Sequence, residues 1–242
     1  MINSVRNTVL AIINKNNYGY ISPSDFNLFA KQAQLDIFDE YFTNYNQQIN
    51  EENARISGTG YADLKLGYEE VIDSFAVTKT LVQNVNNIYY LPSQSTTGDD
   101  YYLINKILCY NAGVLKGEAE KVSNSKINLL NKSLLTAPSD SYPAYTQKGD
   151  SVTIFPSTFN GALDVQATYI RYPKDPKWTF VTLFNGEPLF DQSASDFQDF
   201  ELPIDDTNDL VAKILQYAGI SIREAEVFEF GKIDEQQLDN QK

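Results

Sequence analysis

Histidine is absent from all 242 residues, and cysteine, methionine and tryptophan occur once each. Without imidazole the chain lacks the commonest general base near neutral pH and the commonest metal ligand. A single cysteine, Cys109, excludes an internal disulfide and a thiolate zinc site; in its apolar run it reads as a small buried hydrophobe. Basic residues are also scarce, 19 against 32 acidic, for a formal net charge of -13. That balance removes the clustered Lys and Arg with which a protein grips a phosphate backbone. Long apolar runs are missing too. The patch Val9 to Ile13 is too short for a secretion signal and reads as one face of a helix, so a protein made and used without secretion, and without a membrane span, is expected. No tandem repeat at solenoid or propeller periods occurs.

What is present is a foldable composition, 42% hydrophobic and 21% charged, with aromatics at 13%. Val5, Val9, Ile12 and Ile13 recur at helical spacing, with Gly19 where a C-terminal glycine would sit. Ser22, Pro23 and Asp25 then form a helix start, and Ile21 with Phe26 a hydrophobic staple. Phe26, Phe29, Ala30, Ala33, Ile37, Phe38, Tyr41 and Tyr45 continue as an apolar stripe, which predicts a long helix to about Asn50. A break at Ser57 to Gly60 precedes a further helix around Ala62 to Asp73. Gly58-Thr59-Gly60 lacks the Lys-Ser/Thr ending of a phosphate loop and reads as a connector.

Beyond Phe75 the period shortens. Ala76 to Val82 and Ile88 to Leu91 predict a hairpin around the Asn-rich turn Asn84 to Asn87, and Tyr101 to Leu115 continues the sheet. Asn124 to Leu135 suits a short helix. Val152 to Phe155 and Val165 to Tyr172 read as paired strands across a loop containing Asn160-Gly161. Thr179 to Leu202 is acidic and loop-like. Asp205-Asp206 offers a cap for a helix through Leu210, Val211, Ile214, Leu215 and Ala218, which Gly219 ends, and Ser221 with Glu224 restarts helix. The expected class is α+β: a helical bundle body from the N- and C-terminal helices, with an inserted antiparallel β-rich domain. The expected boundaries are N-terminal helices over 1–75, a β-rich insertion over 76–178, an acidic connecting loop over 179–204 and completing helices over 205–242.

Chemistry finds little footing. There is no Gly-x-Ser-x-Gly turn and no base to serve a serine nucleophile. Carboxylate groups remain: Asp36 with Asp39 and Glu40, Asp99 with Asp100, and Asp205 with Asp206. Their simpler readings are a solvated helix face, a turn and a helix cap, so no catalytic residue, cofactor or metal site is expected. Binding is the other option. Tyr142, Tyr145, Tyr169, Tyr172 and Trp178 fall on or beside the β segment, where rings stack on a sugar, fill an interface pocket or pack a small sheet. Three functions compete: a structural assembly protein, a carbohydrate- or protein-binding accessory module using Tyr145, Tyr172 and Trp178, and an Asp/Glu-dependent hydrolase.

One set of segments bears on that choice. Gly19-Tyr20-Ile21-Ser22-Pro23 with Phe26 and Ala33-Gln34, then Leu91-Pro92-Ser93 and Asp100-Tyr101-Tyr102, open the series. Tyr142-Pro143-Ala144-Tyr145, Ile154-Phe155-Pro156, and Tyr169-Ile170-Arg171-Tyr172-Pro173 running into Pro176-Lys177-Trp178 continue it. Asp209-Leu210-Val211 to Ala218-Gly219-Ile220-Ser221-Ile222-Arg223-Glu224 close it. In that order the chain resembles the head-to-tail connector or ring (adaptor) proteins of short-tailed phages, especially of crAss-like phages; Gln94 to Gly98 and Thr179 to Leu202 fall outside the match.

The resemblance implies a non-enzymatic virion protein assembled in the bacterial cytoplasm as a homo-oligomeric ring of about twelve copies. It also implies contacts with the phage portal protein and neighbouring connector or tail rings. Genomic DNA would pass through an axial channel without specific binding, and an acidic lumen would avoid trapping it. The candidate interface residues are Phe29, Phe38, Tyr41, Tyr145, Tyr172, Trp178, Ile222, Phe228 and Phe230.

Overall fold

The computed structural model describes residues 1–14, 20–53 and 63–222. It is a mixed α+β protein that divides into two compact units: Met1–Val71 with Pro173–Lys242, and Ile72–Tyr172 between them.

The first unit contains α1 (Ile2–Asn14), α2 (Pro23–Asn53) and α5 (Thr207–Ile222), with α5 packed against both α1 and α2. α1 buries Ile2, Val5, Val9 and Ile13, the period expected of one helical face. α2 starts as its sequence requires. Ser22 Oγ accepts the Asp25 N–H at 3.1 Å, the Phe26 N–H donates to the Ser22 carbonyl at 2.9 Å, and Ile21 and Phe26 are both buried. Leu210, Val211, Ile214, Leu215 and Ala218 form the buried stripe of α5. α5 runs on through Gly219 to Ile222. Glycine in a helix interior costs about 1 kcal/mol relative to alanine, which a buried helix tolerates, so Gly219 alone does not end it. Gly19 and Gly58-Thr59-Gly60 lie outside the described residues, as do Glu224 of the restart pattern and the tail beyond it.

The second unit begins at the end of α3 (Asp63–Ser74) and carries an eight-stranded sheet. Its strands are β1 (Ala76–Thr80), β2 (Gln83–Val85), β3 (Ile88–Tyr90), β4 (Tyr101–Asn111), β5 (Val114–Lys121), β6 (Ala144–Lys148), β7 (Ser151–Phe155) and β8 (Val165–Arg171). Their order is β1-β8-β4-β5-β6-β7-β3-β2. The edge strands β1 and β2 are separated in sequence only by Leu81 and Val82, so the two edges lie within the reach of a two-residue link and the sheet must curl. The Leu81 N–H donates to the carbonyl of Val165, the first residue of β8, and the Val82 carbonyl accepts from Tyr90 of β3, each at the opposite margin. Inside the curl lie Tyr89, Ile107, Cys109, Tyr145, Val152, Ile154, Val165, Ala167 and Tyr169, drawn from alternate positions along their strands, with Leu81 and Phe159 added from the connections.

Several expected pairings differ. The hairpin at the Asn-rich turn is β2 with β3, while Ala76 to Thr80 pairs with β8. Asn86, with φ 51°, makes a tighter turn than the expected loop and draws Gln83 to Val85 into a strand. β7 and β8 do not pair; β7 lies between β6 and β3, and β8 between β1 and β4. The insertion is also not purely antiparallel, since β5 and β6 run parallel. α4 (Asn124–Leu130) makes their crossover, capped by Ser123, whose side chain accepts the Lys126 N–H. Thr179 to Leu202 carries a hairpin of its own, β9 (Phe180–Thr182) with β10 (Pro188–Phe190).

Candidate interaction surfaces

Each of the three carboxylate groups has at least one member in a structural bond. Glu40 accepts from Lys213 Nζ at 2.6 Å, and Asp36 accepts from Gln32 at 3.1 Å and from the Tyr217 hydroxyl. Burial first, and then Asp36, push the Tyr217 phenol up to about 12. Asp99 pairs with Lys79, and Asp100 accepts the Gln94 N–H at 2.8 Å. Asp206 accepts from the Tyr41 hydroxyl, whose pKa rises through burial and that bond. Among the described residues no group of three or more acidic or cysteine side chains is placed to hold a metal ion.

The aromatic candidates separate sharply by exposure. Trp178, 2% exposed, belongs to the helical unit and not to the sheet. Its indole Nε1–H donates to Asn3 of α1 at 3.0 Å, and the Arg6 guanidinium lies 3.8 Å from the ring centroid. Phe180 and Phe190 stack beside it at 5.6 and 5.7 Å. Two amides seven residues apart on α2 clamp the incoming segment. Asn27 Oδ1 accepts the Trp178 N–H at 2.8 Å; Gln34 Nε2 donates to the Lys174 carbonyl at 2.8 Å while its Oε1 accepts the Glu201 N–H at 3.1 Å. Because Pro173 and Pro176 offer no N–H, this extended segment depends on such side-chain partners.

Tyr145, 6% exposed, lines the interior of the curled sheet, and Phe38 and Tyr41 are buried in the helical unit. Phe29 is half-buried. Tyr172, 41% exposed, stands edge-on to Tyr102 at 5.2 Å. Of the three rings proposed for a stacking platform, only Tyr172 is therefore open to solvent, and a platform of Tyr145, Tyr172 and Trp178 does not exist. Ile222 ends α5; Phe228 and Phe230 lie outside the described residues.

The most exposed of the described apolar side chains, Phe184, Leu134 and Leu135, instead fall in two segments that sequence reasoning passed over. One is the β9–β10 hairpin. Phe180 and Phe190 form a cross-strand pair beside Trp178, while the next pair, Val181 with Leu189, is exposed. At its tip Phe184 is fully exposed, 110% of the reference value. The tip is held by the Leu183 N–H to Glu187 carbonyl bond at 2.9 Å and by Gly186 at φ 86°. The other segment is α4 with its following turns, where Leu134 and Leu135 are 103% and 97% exposed beside Leu129. Backbone bonds from Lys132 to Leu129, Ser133 to Leu130 and Ala137 to Ser133 order these turns.

Charge is divided between the units. Ile72–Tyr172 contains eight acidic and eight basic residues, so the whole net charge of -13 falls in Met1–Val71 and Pro173–Lys242. From Trp178 to Ala212 there are eight carboxylates and no Lys or Arg. One of these, Asp199, has a structural role at α1. Its Oδ1 accepts the Ile2 N–H at 2.7 Å and the Phe200 N–H at 2.9 Å, and Oδ2 accepts from the Met1 amine at 2.8 Å. Burial opposes its charge, yet these donors hold its pKa below the ordinary carboxylate value. Its contribution is thus complete above the unfolded value of about 4 and is lost as pH falls through the lower folded value. Asp199→Ala is expected to cost about 1–2 kcal/mol at neutral pH, and the difference from wild type should shrink in urea unfolding repeated in strong acid.

No protein-family model matches the chain, and no curated protein shows significant similarity to it. Among the described residues no helix is long and apolar enough to cross a membrane.

Proposed function

We propose that this chain is a structural virion protein: a ring component of the head-to-tail connector of a short-tailed phage, of the crAss-like type. The single observation that carries the proposal is the division of charge, with all thirteen net negative charges in the helical unit and none in the sheet unit. In this reading the helices form the body of the ring, with the sheet unit as an insertion. The acidic unit faces a channel through which DNA passes without adhering, since like charge repels the phosphate backbone. The fully exposed Phe184, Leu134 and Leu135 fit a protein whose surface is covered in an assembly, because monomeric proteins rarely expose clustered apolar side chains. The bonds that absorb Asp36, Glu40, Asp99 and Asp206 favour a structural role over hydrolysis.

The location is tested by antibody labelling of purified phage particles. Label confined to the vertex that bears the tail is expected; label along the capsid faces, or free protein with none in particles, would overturn the assignment. The portal protein and adjoining tail rings are the partners this position implies. Removing Ser221 to Lys242 tests the C-terminal segment, and the expected result is a folded chain that no longer enters particles.

A further inference from the structure

Two ordered surface segments carry apolar side chains with no cover, and their charges are opposite. The β9–β10 hairpin has no Lys or Arg, with Glu187 in the turn beside Phe184 and Asp191 directly after β10. The segment from Lys121 to Ser139 has Lys121, Lys126 and Lys132 and no acidic residue, and it presents Leu134 and Leu135. Neither is a loose loop: the hairpin is a bonded β-turn and the α4 segment a run of bonded turns. A two-stranded ribbon is marginal by itself, and this one packs on Trp178 with one face only.

We infer that the β9–β10 hairpin of one copy docks on the α4 turns of a second copy, in a head-to-tail contact between unlike surfaces. This deepens the ring reading and rests on it. Phe184 and the exposed Val181–Leu189 pair meet Leu129, Leu134 and Leu135, while Glu187 and Asp191 face Lys126 and Lys132. Like surfaces meeting would bring acid to acid or lysine to lysine, which disfavours a two-fold dimer through either segment. Because each copy carries both halves of the contact, one copy can bind the next without limit until the rotation closes. That is the property a ring requires. The surfaces are joined by apolar burial and selected by charge, so association should weaken as salt is raised.

Two variants of the full chain test the contact: Phe184→Ser with Glu187→Lys, which spoils the hairpin, and Lys132→Glu with Leu134→Ser and Leu135→Ser, which spoils the turns. All five positions are exposed, so both should fold with wild-type circular dichroism and melting. In sedimentation velocity the wild type is expected to assemble, and each variant alone to associate at least about tenfold more weakly. Mixed together, the variants should form a one-to-one pair and nothing larger, since each retains the half the other has lost. A wild-type oligomer unchanged by either variant would overturn the pairing of these surfaces and leave the ring reading standing. A wild-type chain that stays monomeric at every concentration would overturn self-assembly itself. Assembly lost in the hairpin variant but retained in the turn variant would show that the hairpin binds elsewhere, against the inference.

Discussion

Replacing Trp178 by alanine is expected to lower the unfolding free energy by about 3–5 kcal/mol. The indole is buried between Arg6, Phe180 and Phe190, so its removal opens a cavity and also strips the cover from a cation. Arg6 is 5% exposed and its Nε has no hydrogen-bond partner among the described residues, while burial lowers its pKa. Trp178→Phe keeps an apolar ring but loses the donor to Asn3, and should cost roughly 1–2 kcal/mol. Urea unfolding followed by far-ultraviolet circular dichroism measures both. An alanine variant within about 0.5 kcal/mol of wild type would mean that the helical unit does not depend on this ring. The same residue gives wild type a built-in reporter, because the only indole in the chain sits in the helical unit and its fluorescence follows that unit.

Tyr89→Ala is expected to be comparably severe in the sheet unit, again about 3–5 kcal/mol, as for other large buried aromatics. Tyr89 is fully buried on β3 and its hydroxyl donates to the Gly161 carbonyl at 2.9 Å. It therefore ties the short β2–β3 end of the curled sheet to the loop before β8. Tyr89→Phe isolates that bond and should cost about 1 kcal/mol, since it leaves the carbonyl of Gly161 with one fewer donor. Hydrogen exchange on the intact protein locates the loss: β3 and the Phe159 to Asp164 loop should lose protection first. Protection lost uniformly across both units would contradict the local role given to this side chain.

What the sequence disclosed depended on how local the deciding interactions are. The start of α2 was legible because Ser22, Pro23 and Asp25 satisfy its N–H groups from adjacent positions, and the α5 stripe because helical spacing marks a buried face directly. The course of the sheet was not. β1 pairs with β8, about ninety residues away, and nothing at Val77 or Tyr169 names its partner. The β4–β5 hairpin turns at Ala112-Gly113 with both residues at positive φ, although alanine gives no turn signal. Trp178 was misplaced because the residues that bury it, Asn3, Arg6 and Asn27, come from the far end of the chain. Asp199, which caps α1 across 197 positions, was missed for the same reason. At the candidate surfaces, period and composition made Thr179 to Leu202 an acidic loop. Its apolar residues gain meaning only once the fold stacks Phe180 and Phe190 against Trp178 and leaves Val181, Phe184 and Leu189 without a partner ring.

Self-association into the proposed closed ring is read directly by negative-stain electron microscopy of the purified chain. Annular particles of uniform diameter with a stain-filled centre are expected, weakened by high salt and absent from the Phe184→Ser, Glu187→Lys variant. Particles that remain compact single copies at all concentrations, or that grow as sheets without closing, would contradict it.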